Sequence, residues 1–141
     1  MSVVRAFVDA FNRGDVDGLL DCCTDDATYE DGFYGPHRGS VALRDMFERM
    51  FKEGREYRWQ MDRVLETTEQ AAAEWTFSYV VTEAVPRSAG RRVRFRGMSF
   101  FELCGGRIAA YREQFDLGAA LLQLGFTADA IAKVLTRKPT L

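Results

Sequence analysis

The sequence predicts an α+β fold in which about three helices near the amino end precede a curved antiparallel sheet. Up to Lys52, apolar residues recur three or four positions apart, which is the spacing of a helix with one buried face. From Tyr57 onward, large apolar residues alternate with polar ones, which is the period of a strand with one buried face. The pair Gly105-Gly106 separates two such stretches and indicates a tight hairpin. We therefore expect the helices to cover one face of the sheet.

The three helices are predicted from their caps and their apolar positions. Ser2 is a suitable cap for the first and Asp15 for the second. Ser40 is a suitable cap for the third, and Gly54 ends it. The residues expected to face inward are Val4, Phe7, Val8 and Phe11 in the first helix, Leu19, Leu20 and Cys23 in the second, and Leu43, Met46, Phe47 and Met50 in the third.

The remaining elements are predicted from alternation and from turn residues. A brief strand, 27–31, and a glycine-punctuated loop, 32–39, lie between the second and third helices. Further strands are predicted at 57–66, 71–83, 92–104 and 107–116, and helical pieces at 118–124 and 127–136. The residues expected to share the more apolar face of their strand are Tyr57, Trp59, Met61, Leu65, Ala73, Trp75, Phe77, Tyr79, Val81, Val93, Phe95, Ser99, Phe101 and Leu103.

Length and composition predict a single globular domain over residues 1–141, with a C-terminal helical extension at about 118–138. A hydrophobic fraction of 47% with 28% charged residues is typical of a soluble protein. The 13% of aromatic residues suits either a large buried area or the apolar walls of a ligand pocket. The amino end lacks the apolar block of a signal peptide, and no run approaches the length of a membrane span. We therefore expect a cytoplasmic protein with no membrane contact.

Charge and cysteine content argue against nucleic-acid binding and against a zinc site. A formal net charge of −2 provides no general attraction to nucleic acid, and the arginines within 87–96 are interpreted as a solvated strand edge. The three cysteines and the single histidine lack the spacing of zinc ligands. We expect no nucleic-acid partner, metal or cofactor.

Two short segments about eighty positions apart carry the candidate catalytic residues. Tyr29 and Asp31, and likewise Tyr111 and Glu113, lie two positions apart on predicted strands, so each pair points to one side. If both pairs line one cavity, burial raises the pKa of both carboxyl groups, and their repulsion raises one of them further. The two groups would then share a single proton near neutral pH, as acid–base catalysis requires.

The predicted elements follow the order helix, helix, strand, loop, helix and meander, and the segments 25–31 and 106–108 occupy characteristic positions in that order. This arrangement resembles the nuclear-transport-factor-2-like fold. This is a cone of curved sheet around a cavity, and the resemblance covers Val4 to Gly125. Its small-molecule branch includes SnoaL-like polyketide cyclases, ketosteroid isomerase and limonene-epoxide hydrolase. The resemblance is specific for the fold rather than for one activity, because the fold hosts unrelated functions. Family members are often homodimers through the sheet, which implies a homodimer here, through the outer face that carries Thr76, Ser78, Arg94, Arg96, Met98 and Phe100.

The resemblance also implies roles for single residues. Relative to ketosteroid isomerase, Asp31 takes the place of the catalytic base, and Phe7 stands where the oxyanion-hole tyrosine would be. Relative to the SnoaL-like cyclases, the catalytic aspartate of the final strand falls on Glu113. Isomerisation of a ketosteroid is not implied, because a base without its oxyanion donors cannot stabilise a dienolate in the same way.

Limonene-epoxide hydrolase provides a third set of correspondences. Tyr29 and Asp31 fall at the positions of the tyrosine and asparagine that hold the attacking water, and Glu113 falls at the position of the aspartate that activates it. Trp75 and Phe77 replace the arginine and aspartate that protonate the epoxide oxygen. The residues that hold and activate the water are therefore retained with conservative changes, whereas those that protonate the epoxide are replaced by aromatic residues.

We therefore expect a cofactor-independent acid–base enzyme acting on a small hydrophobic, cyclic metabolite by cyclisation, isomerisation or epoxide opening. Asp31, Glu113 and Tyr29 are the predicted catalytic residues. The predicted substrate-binding residues are Phe7, His37, Trp59, Trp75, Phe77, Tyr79, Tyr111 and Phe115. The alternative is a module of the same fold that binds a hydrophobic ligand or a second copy without turnover.

Each of these assignments has a structural alternative. Asp31 precedes Gly32 and can cap a turn, and Glu113 can be an exposed charge. Tyr29 and Tyr111 can be core residues, and Asp116 is expected to cap the following helix. The enzyme is favoured if both carboxylates point into one enclosed cavity and their oxygens approach within about 7 Å, with room for a reacting atom. The binding module is favoured if aromatic side chains fill the cone or if either carboxylate faces solvent.

Overall fold

A computed structural model describes residues 2–137 of the chain. The helices are α1 (Val3–Asn12), α2 (Val16–Asp21), α3 (Ser40–Glu53), α4 (Leu117–Gln123) and α5 (Ala128–Arg137). The strands are β1 (Cys23–Asp31), β2 (Gly35–Arg38), β3 (Gly54–Glu66), β4 (Gln70–Val81), β5 (Arg92–Cys104) and β6 (Arg107–Phe115). The α+β prediction is confirmed, and residue 138 of the predicted helical extension lies outside the described range.

The six strands form one curved sheet in the order β2-β1-β6-β5-β4-β3. All neighbours pair antiparallel except β1 and β6, which run parallel. The expectation of an entirely antiparallel sheet is therefore corrected to a mixed one. The reason is topological: β1 and β6 are remote in sequence, so the long crossover that a parallel pair needs is available between them.

The amino-terminal helices cover the concave part of the sheet with their predicted apolar faces. Phe7 and Phe11 of α1 and Phe47 of α3 are almost completely buried. Ser2 and Asp15 cap α1 and α2 by accepting hydrogen bonds from the N–H groups of Arg5 and Gly18, as predicted.

The start of α3 differs from the prediction. Gly39 occupies the cap position with a φ of 87°, a conformation that favours glycine. Ser40 is the first helical residue, and its hydroxyl donates to the carbonyl of Asp25 instead of capping the helix. The cap at this end is thus set by backbone conformation rather than by a side chain.

The strands at the amino side are longer and more numerous than predicted. Cys23, expected to face inward from α2, is the buried first residue of β1. Part of the expected loop, Gly35–Arg38, pairs with β1 as the strand β2 and places His37 opposite Tyr29. Alternation in this region is too short to predict a strand, so only the pairing with β1 reveals it.

The second half of β3 turns its side chains to the opposite faces from those expected. The pairing of β3 with β4 shifts between Met61 and Arg63, which marks a bulge. A bulge adds one residue to one strand, so every later side chain changes face. Leu65, expected on the inner face, is therefore 68% exposed, and Val64 is the residue packed against the core.

The carboxyl end packs on β5 where β6 no longer covers it. Asp116 caps α4 by accepting from the N–H of Ala119, as predicted. Beyond the end of β6, the side chain of Gln123 in α4 bonds both the N–H and the carbonyl of Arg94. This closes a sheet edge that would otherwise be unpaired. Among residues 2–137, no helix has the length and apolar character needed to cross a membrane.

Candidate functional site

The two predicted aromatic–carboxylate pairs lie side by side in the sheet. Tyr29 of β1 is the direct partner of Tyr111 of β6, and their rings stack with centroids 4.1 Å apart and planes inclined by 12°. Because β1 and β6 run parallel, Asp31 and Glu113 both lie two residues further along in the same direction. The parallel pairing thus brings both carboxylates to one place.

Both carboxylates line an internal cavity of about 40 Å³. This is room for a few water molecules or an equally small organic group. Apart from Asp31 and Glu113, its walls are Met50 and the aromatic residues Phe11, Tyr29, Phe33, Tyr34, Tyr57, Trp59, Trp75, Phe77, Tyr79 and Phe95. The walls include no Lys, Arg or His. Aromatic side chains therefore fill most of the cone and leave a small acidic chamber.

Asp31 combines the two roles considered for it. Its Oδ1 atom accepts hydrogen bonds from the backbone N–H groups of Phe33 and Tyr34, at 2.8 and 2.9 Å. This is the turn cap considered as its structural alternative. Asp31 also lines the cavity beside Glu113. The turn thus holds the carboxylate in a fixed position at the cavity wall.

Glu113 is held at both of its oxygen atoms. The hydroxyl of Tyr111 donates to Oε1 at 2.5 Å, and the backbone N–H of Gly32 donates to Oε2 at 2.8 Å. Burial, and then the negative charge of Asp31, raise the pKa of Glu113 to about 8, although both hydrogen bonds lower it. Burial and the charge of Asp31 therefore both favour the neutral form of Glu113.

Behind Tyr111 lies a chain of hydrogen bonds with a defined direction. The indole N–H of Trp75 donates to Ser99 Oγ at 2.7 Å, and Ser99 Oγ donates to Tyr111 Oη at 2.8 Å. An indole nitrogen can only donate, so Ser99 Oγ accepts from Trp75; the Ser99 hydroxyl donates on to Tyr111, and the Tyr111 hydroxyl donates to Glu113. Burial and the charge of Glu113 raise the pKa of Tyr111, which keeps this phenol protonated.

Ser99 contacts Tyr111 behind the site, and the sequence analysis did not single it out. It is buried on the inner face of β5, between Phe95 and Phe101. The signal that could have identified Ser99 is a single hydroxyl at an inward position of an otherwise apolar strand face, because buried polar groups need partners.

The eight predicted substrate-binding residues lie in five different places, and only four of the residues line the cavity. Those that line the cavity are Trp59, Trp75, Phe77 and Tyr79. Tyr111 lies behind Glu113, and Phe7 packs in the core against Tyr29 and Phe47. His37 lies on β2, with Nδ1 3.1 Å from the carbonyl oxygen of Gly35. The wall residues that were not predicted are Phe11, Phe33, Tyr34, Met50, Tyr57 and Phe95, which had been assigned to the core, the loop or the strand faces.

Phe115 lies at the edge of a second depression that reaches the same carboxylates from outside. This groove has a volume of about 580 Å³. Its walls are Glu30, Asp31, Gly32, Gly35, Pro36, Glu113, Gln114, Phe115, Asp116, Leu117, Gly118 and Leu135. Asp31 and Glu113 therefore line both the inner cavity and a groove of ordinary ligand size.

The groove depends on a glycine next to Asp31. A Cβ atom at Gly32 would lie 2.1 Å from Cε1 of the Phe115 ring, so only glycine allows this ring to approach. Phe115 in turn stacks on Phe95 with centroids 4.3 Å apart. Within residues 2–137, no three His, Cys, Asp or Glu side chains are arranged to hold a metal ion.

Comparison with known proteins places this chain in a family. The family model of the SnoaL-like domain matches residues 4–111. A proposed polyketide cyclase from Xanthomonas campestris pv. campestris is 25% identical, with a TM-score of 0.72 over 86% of this chain and 93% of that one. The search of curated proteins finds no match.

Two further structures share the fold at lower identity. An LEH-like epoxide hydrolase from M. tuberculosis is 21% identical, with a TM-score of 0.72 over 96% of this chain and 94% of that one. A protein with a ketosteroid isomerase-like fold from Catenulispora acidiphila, solved with trimethylamine, is 16% identical, with a TM-score of 0.77 over 90% and 95%. The family model covers most of the chain, including the strand of Asp31 and Tyr111 of the final strand. The chain therefore belongs to the family of SnoaL-like domains.

Proposed function

We propose that this chain is a cofactor-independent acid–base enzyme acting on a small, neutral, hydrophobic metabolite. The observation that carries the proposal is the placement of Glu113 and Asp31 together at the wall of one apolar cavity, where Glu113 accepts hydrogen bonds at both oxygens. Burial and the charge of Asp31 raise the pKa of Glu113, which favours its neutral form. A neutral acid next to a carboxylate can donate one proton while the other group accepts one.

Glu113 acts as the general acid and Asp31 as the general base. Glu113 donates its proton to an oxygen of the substrate, and Asp31 takes a proton from a carbon or from a water molecule. Epoxide opening, aldol-type ring closure and isomerisation beside a carbonyl all require this pair of transfers. One proton enters the substrate and one leaves, so a later exchange between the two carboxyl groups restores the starting state.

The substrate occupies both the inner cavity and the outer groove, which are both lined by Asp31 and Glu113. The inner cavity of about 40 Å³ holds only the reacting group. The body of the molecule lies in the groove of about 580 Å³, against the apolar side chains of Phe115, Leu117 and Leu135. Anionic substrates are disfavoured, because among residues 2–137 the charged residues that line both spaces are all acidic.

The proposal is tested with a panel of epoxides, cyclisable polyketide-like chains and unsaturated ketones. Asp31→Asn and Glu113→Gln should each lower the rate on the active substrate by about 10²–10⁴-fold, which is the usual contribution of acid–base catalysis. The matched control is Glu74→Gln, an exposed carboxylate on β4, which should keep the wild-type rate. Retention of full activity by both site variants would refute the assignment.

A second candidate function is ligand binding without turnover, and it is favoured by the small volume of the cavity and the density of its aromatic walls. The trimethylamine in the Catenulispora acidiphila structure supports small-molecule binding in a fold of this type. Saturable binding of a small organic molecule, together with no turnover across the panel, would favour this candidate.

We also propose a homodimer through the outer face of the sheet. Met98 is 57% exposed on this face, next to the partly exposed Phe100. An apolar patch among arginines is a suitable self-association surface.

A further inference from the structure

The wall of the inner cavity contains one segment that is neither helix nor strand. Phe33 and Tyr34 line the cavity from the turn 32–34, which lies between the end of β1 and the start of β2. Within residues 2–137, every other residue of this wall belongs to a helix or a strand. Helices and strands are held by their own ladders of backbone hydrogen bonds, so the turn is the part of the wall that moves at the lowest cost.

The same turn also borders the outer groove. Gly32 and Gly35, on either side of the two aromatic residues, line the groove, whereas Phe33 and Tyr34 line the cavity. Gly35 has a φ of 79°, and a Cβ atom placed on it would meet no atom within 4 Å. The turn is therefore a wall shared by the two spaces, and it has room to move beside its second glycine.

The side chain of Tyr34 holds the turn against α3. Its hydroxyl donates to Oε1 of Glu53, the last residue of α3, at 2.6 Å. Arg49, one helical turn earlier, contacts Glu53 Oε2 with its Nε at 3.3 Å, and its guanidinium carbon lies 5.0 Å from the centroid of the Tyr34 ring. Burial and the hydrogen bond to Glu53 raise the pKa of the Tyr34 phenol, so it remains a donor at neutral pH. We call Tyr34, Glu53 and Arg49 the latch.

Glu53 is itself fixed to the sheet. Its carbonyl oxygen accepts from the N–H of Thr82 at 2.9 Å, and the Thr82 hydroxyl donates to the carbonyl of Lys52 at 2.6 Å. These bonds join the end of α3 to the residue that follows β4. The latch thus connects a turn to a rigid part of the fold, and loosening it releases the turn rather than the helix.

On the side of the site, the turn is bonded to both carboxylates. The N–H of Gly32 donates to Glu113 Oε2, and the N–H groups of Phe33 and Tyr34 donate to Asp31 Oδ1. An outward swing of the turn between Asp31 and Gly35 breaks these three bonds, and its return restores them. The position of the turn and the hydrogen bonds of the carboxylates are therefore coupled.

We propose that the turn 32–34 is a gate between the groove and the cavity, and that the latch keeps this gate closed until a ligand enters. The closed cavity of about 40 Å³ admits only a few atoms, whereas an outward swing of the turn joins it to the groove of about 580 Å³. One molecule can then occupy both spaces. The delivery of a substrate to Asp31 and Glu113 rests on the proposed function, but the opening of the gate does not.

Hydrogen exchange, followed by NMR on the full chain, measures the opening. One outward movement exposes the amide protons of Gly32, Phe33 and Tyr34 together. Tyr34→Phe removes the hydroxyl that donates to Glu53, and should speed the exchange of all three about tenfold, the usual effect of losing one hydrogen bond to a partly exposed charged group. Tyr57→Phe is the matched control, because its hydroxyl also bonds α3 from the cavity wall, but from a strand. It should leave the three rates within about twofold of the wild type.

Entry into the cavity is measured with a thiol placed on its wall. Met50 lines the cavity and is 5% exposed, so Met50→Cys is the common background of these variants. Iodoacetamide is larger than the closed cavity and reaches the new thiol only when the wall opens. Peptide-resolved mass spectrometry follows the labelling, and the exposed native Cys104 gives the reference rate in the same sample. Adding Tyr34→Phe should speed labelling at position 50 about tenfold, and adding Tyr57→Phe should not, although Tyr57 bonds the Met50 carbonyl itself.

Faster exchange in the turn without faster labelling would show that the turn opens but is not the entrance, and would overturn the proposal. Unchanged exchange in Tyr34→Phe would overturn the latch, and equal acceleration of the amides of β1 and β6 would assign the effect to global unfolding instead. If Tyr34→Phe fails to fold, Arg49→Gln removes the exposed ion pair with Glu53 and should speed both processes about twofold.

The gate and the enzyme can fail separately. Latch-dependent labelling without turnover of any substrate would keep the gate and reject the enzyme. Turnover that depends on Asp31 and Glu113, with unchanged labelling in Tyr34→Phe, would keep the enzyme and reject the gate.

Discussion

Trp75 and Ser99 lie behind Tyr111 and extend its hydrogen bond to Glu113 into a chain of three hydrogen bonds. The sequence indicated Tyr111 and Glu113 through their spacing, but Trp75 was predicted as a pocket wall and Ser99 only as part of a strand face. Their actual arrangement points three donors in succession toward one carboxyl oxygen. The hydrogen bond that Glu113 accepts from Tyr111 is therefore backed by Ser99 and Trp75, which lie further along the same chain of hydrogen bonds.

Tyr111→Phe should raise the pKa of Glu113 above its value of about 8, because the Tyr111 hydroxyl donates to the carboxylate and lowers that pKa. The pKa is measured by ¹³C NMR titration of the Glu113 side-chain carboxyl. The matched control is Tyr57→Phe, which removes a hydroxyl that bonds the carbonyl of Met50 rather than a carboxylate. An unchanged or lower pKa in Tyr111→Phe would contradict a hydrogen bond from Tyr111 to the Glu113 carboxylate.

Glu113 also makes stability depend on pH. Its pKa rises from an ordinary 4.5 to about 8 in the fold, so the neutral acid of the native state contributes stability that is complete below pH 4.5. Between pH 4.5 and 8 the unfolded chain ionises first, and this contribution is lost at up to about 1.4 kcal/mol per pH unit.

We expect the free energy of unfolding of Glu113→Gln to fall less steeply between pH 5 and 8 than that of the wild type, because glutamine does not titrate. Urea unfolding at four pH values measures both slopes, and Glu74→Gln should keep the wild-type slope. Identical slopes in wild type and Glu113→Gln would show that Glu113 titrates normally in the fold. The absolute stability of the variant is not the readout, since its amide cannot accept from Gly32 and Tyr111 in the same way.

At the scale of elements, the pairing of β1 with β6 and the turn that follows β1 build the site together. The parallel register places Tyr29 opposite Tyr111, and the turn after Asp31 directs the Gly32 N–H to Glu113. The same turn brings Gly32 against the ring of Phe115. One short segment therefore positions a carboxylate, a donor to the other carboxylate, and one side of the groove.

Gly32→Ala should destabilise the fold by about 1–3 kcal/mol, the usual cost of overpacking, because its Cβ would lie 2.1 Å from the Phe115 ring. Chemical denaturation measures the loss. Phe115→Leu removes the ring edge, so the double variant should lose less than the sum of the two single variants. Additive losses would mean that Phe115 does not constrain residue 32.

At the scale of the whole molecule, the curved sheet has an inner and an outer face that carry different kinds of side chain. The inner face holds the aromatic residues and the two carboxylates, and the outer face carries Met98 and Phe100 between arginines. Self-association through the outer face would leave the groove at the ends of β1 and β6 open to a substrate.

Light scattering at tens of micromolar should give twice the mass of one chain. Met98→Asp should lower that mass toward one chain, because it places a charge at the centre of the proposed contact. The control is Leu122→Asp, which changes an equally exposed apolar residue, 63% exposed, on α4 instead of the sheet. A single-chain mass in the wild type would contradict the dimer.

The sequence by itself determined the features that depend on local geometry. The helical period of α1 and α3, the alternation of β4 and β5, the hairpin at Gly105-Gly106 and the caps at Ser2, Asp15 and Asp116 are set by neighbouring residues, and all are present. So is the shared direction of each aromatic–carboxylate pair, because a strand alternates its side chains every two residues. The bulge in β3 and the strand β2 escaped prediction, because a shift of one residue and a four-residue strand leave little trace in a pattern.

Only the tertiary structure decided how the two pairs relate. Asp31 and Glu113 are about eighty positions apart, so their proximity depends on the parallel register of β1 and β6, which no local pattern encodes. The volume of the cavity, the partners of Ser99 and the hydrogen bond from Tyr34 to Glu53 depend on how side chains from five strands and two helices pack. Periodicity determines which face a residue occupies, whereas packing determines the distances at which acid–base chemistry operates.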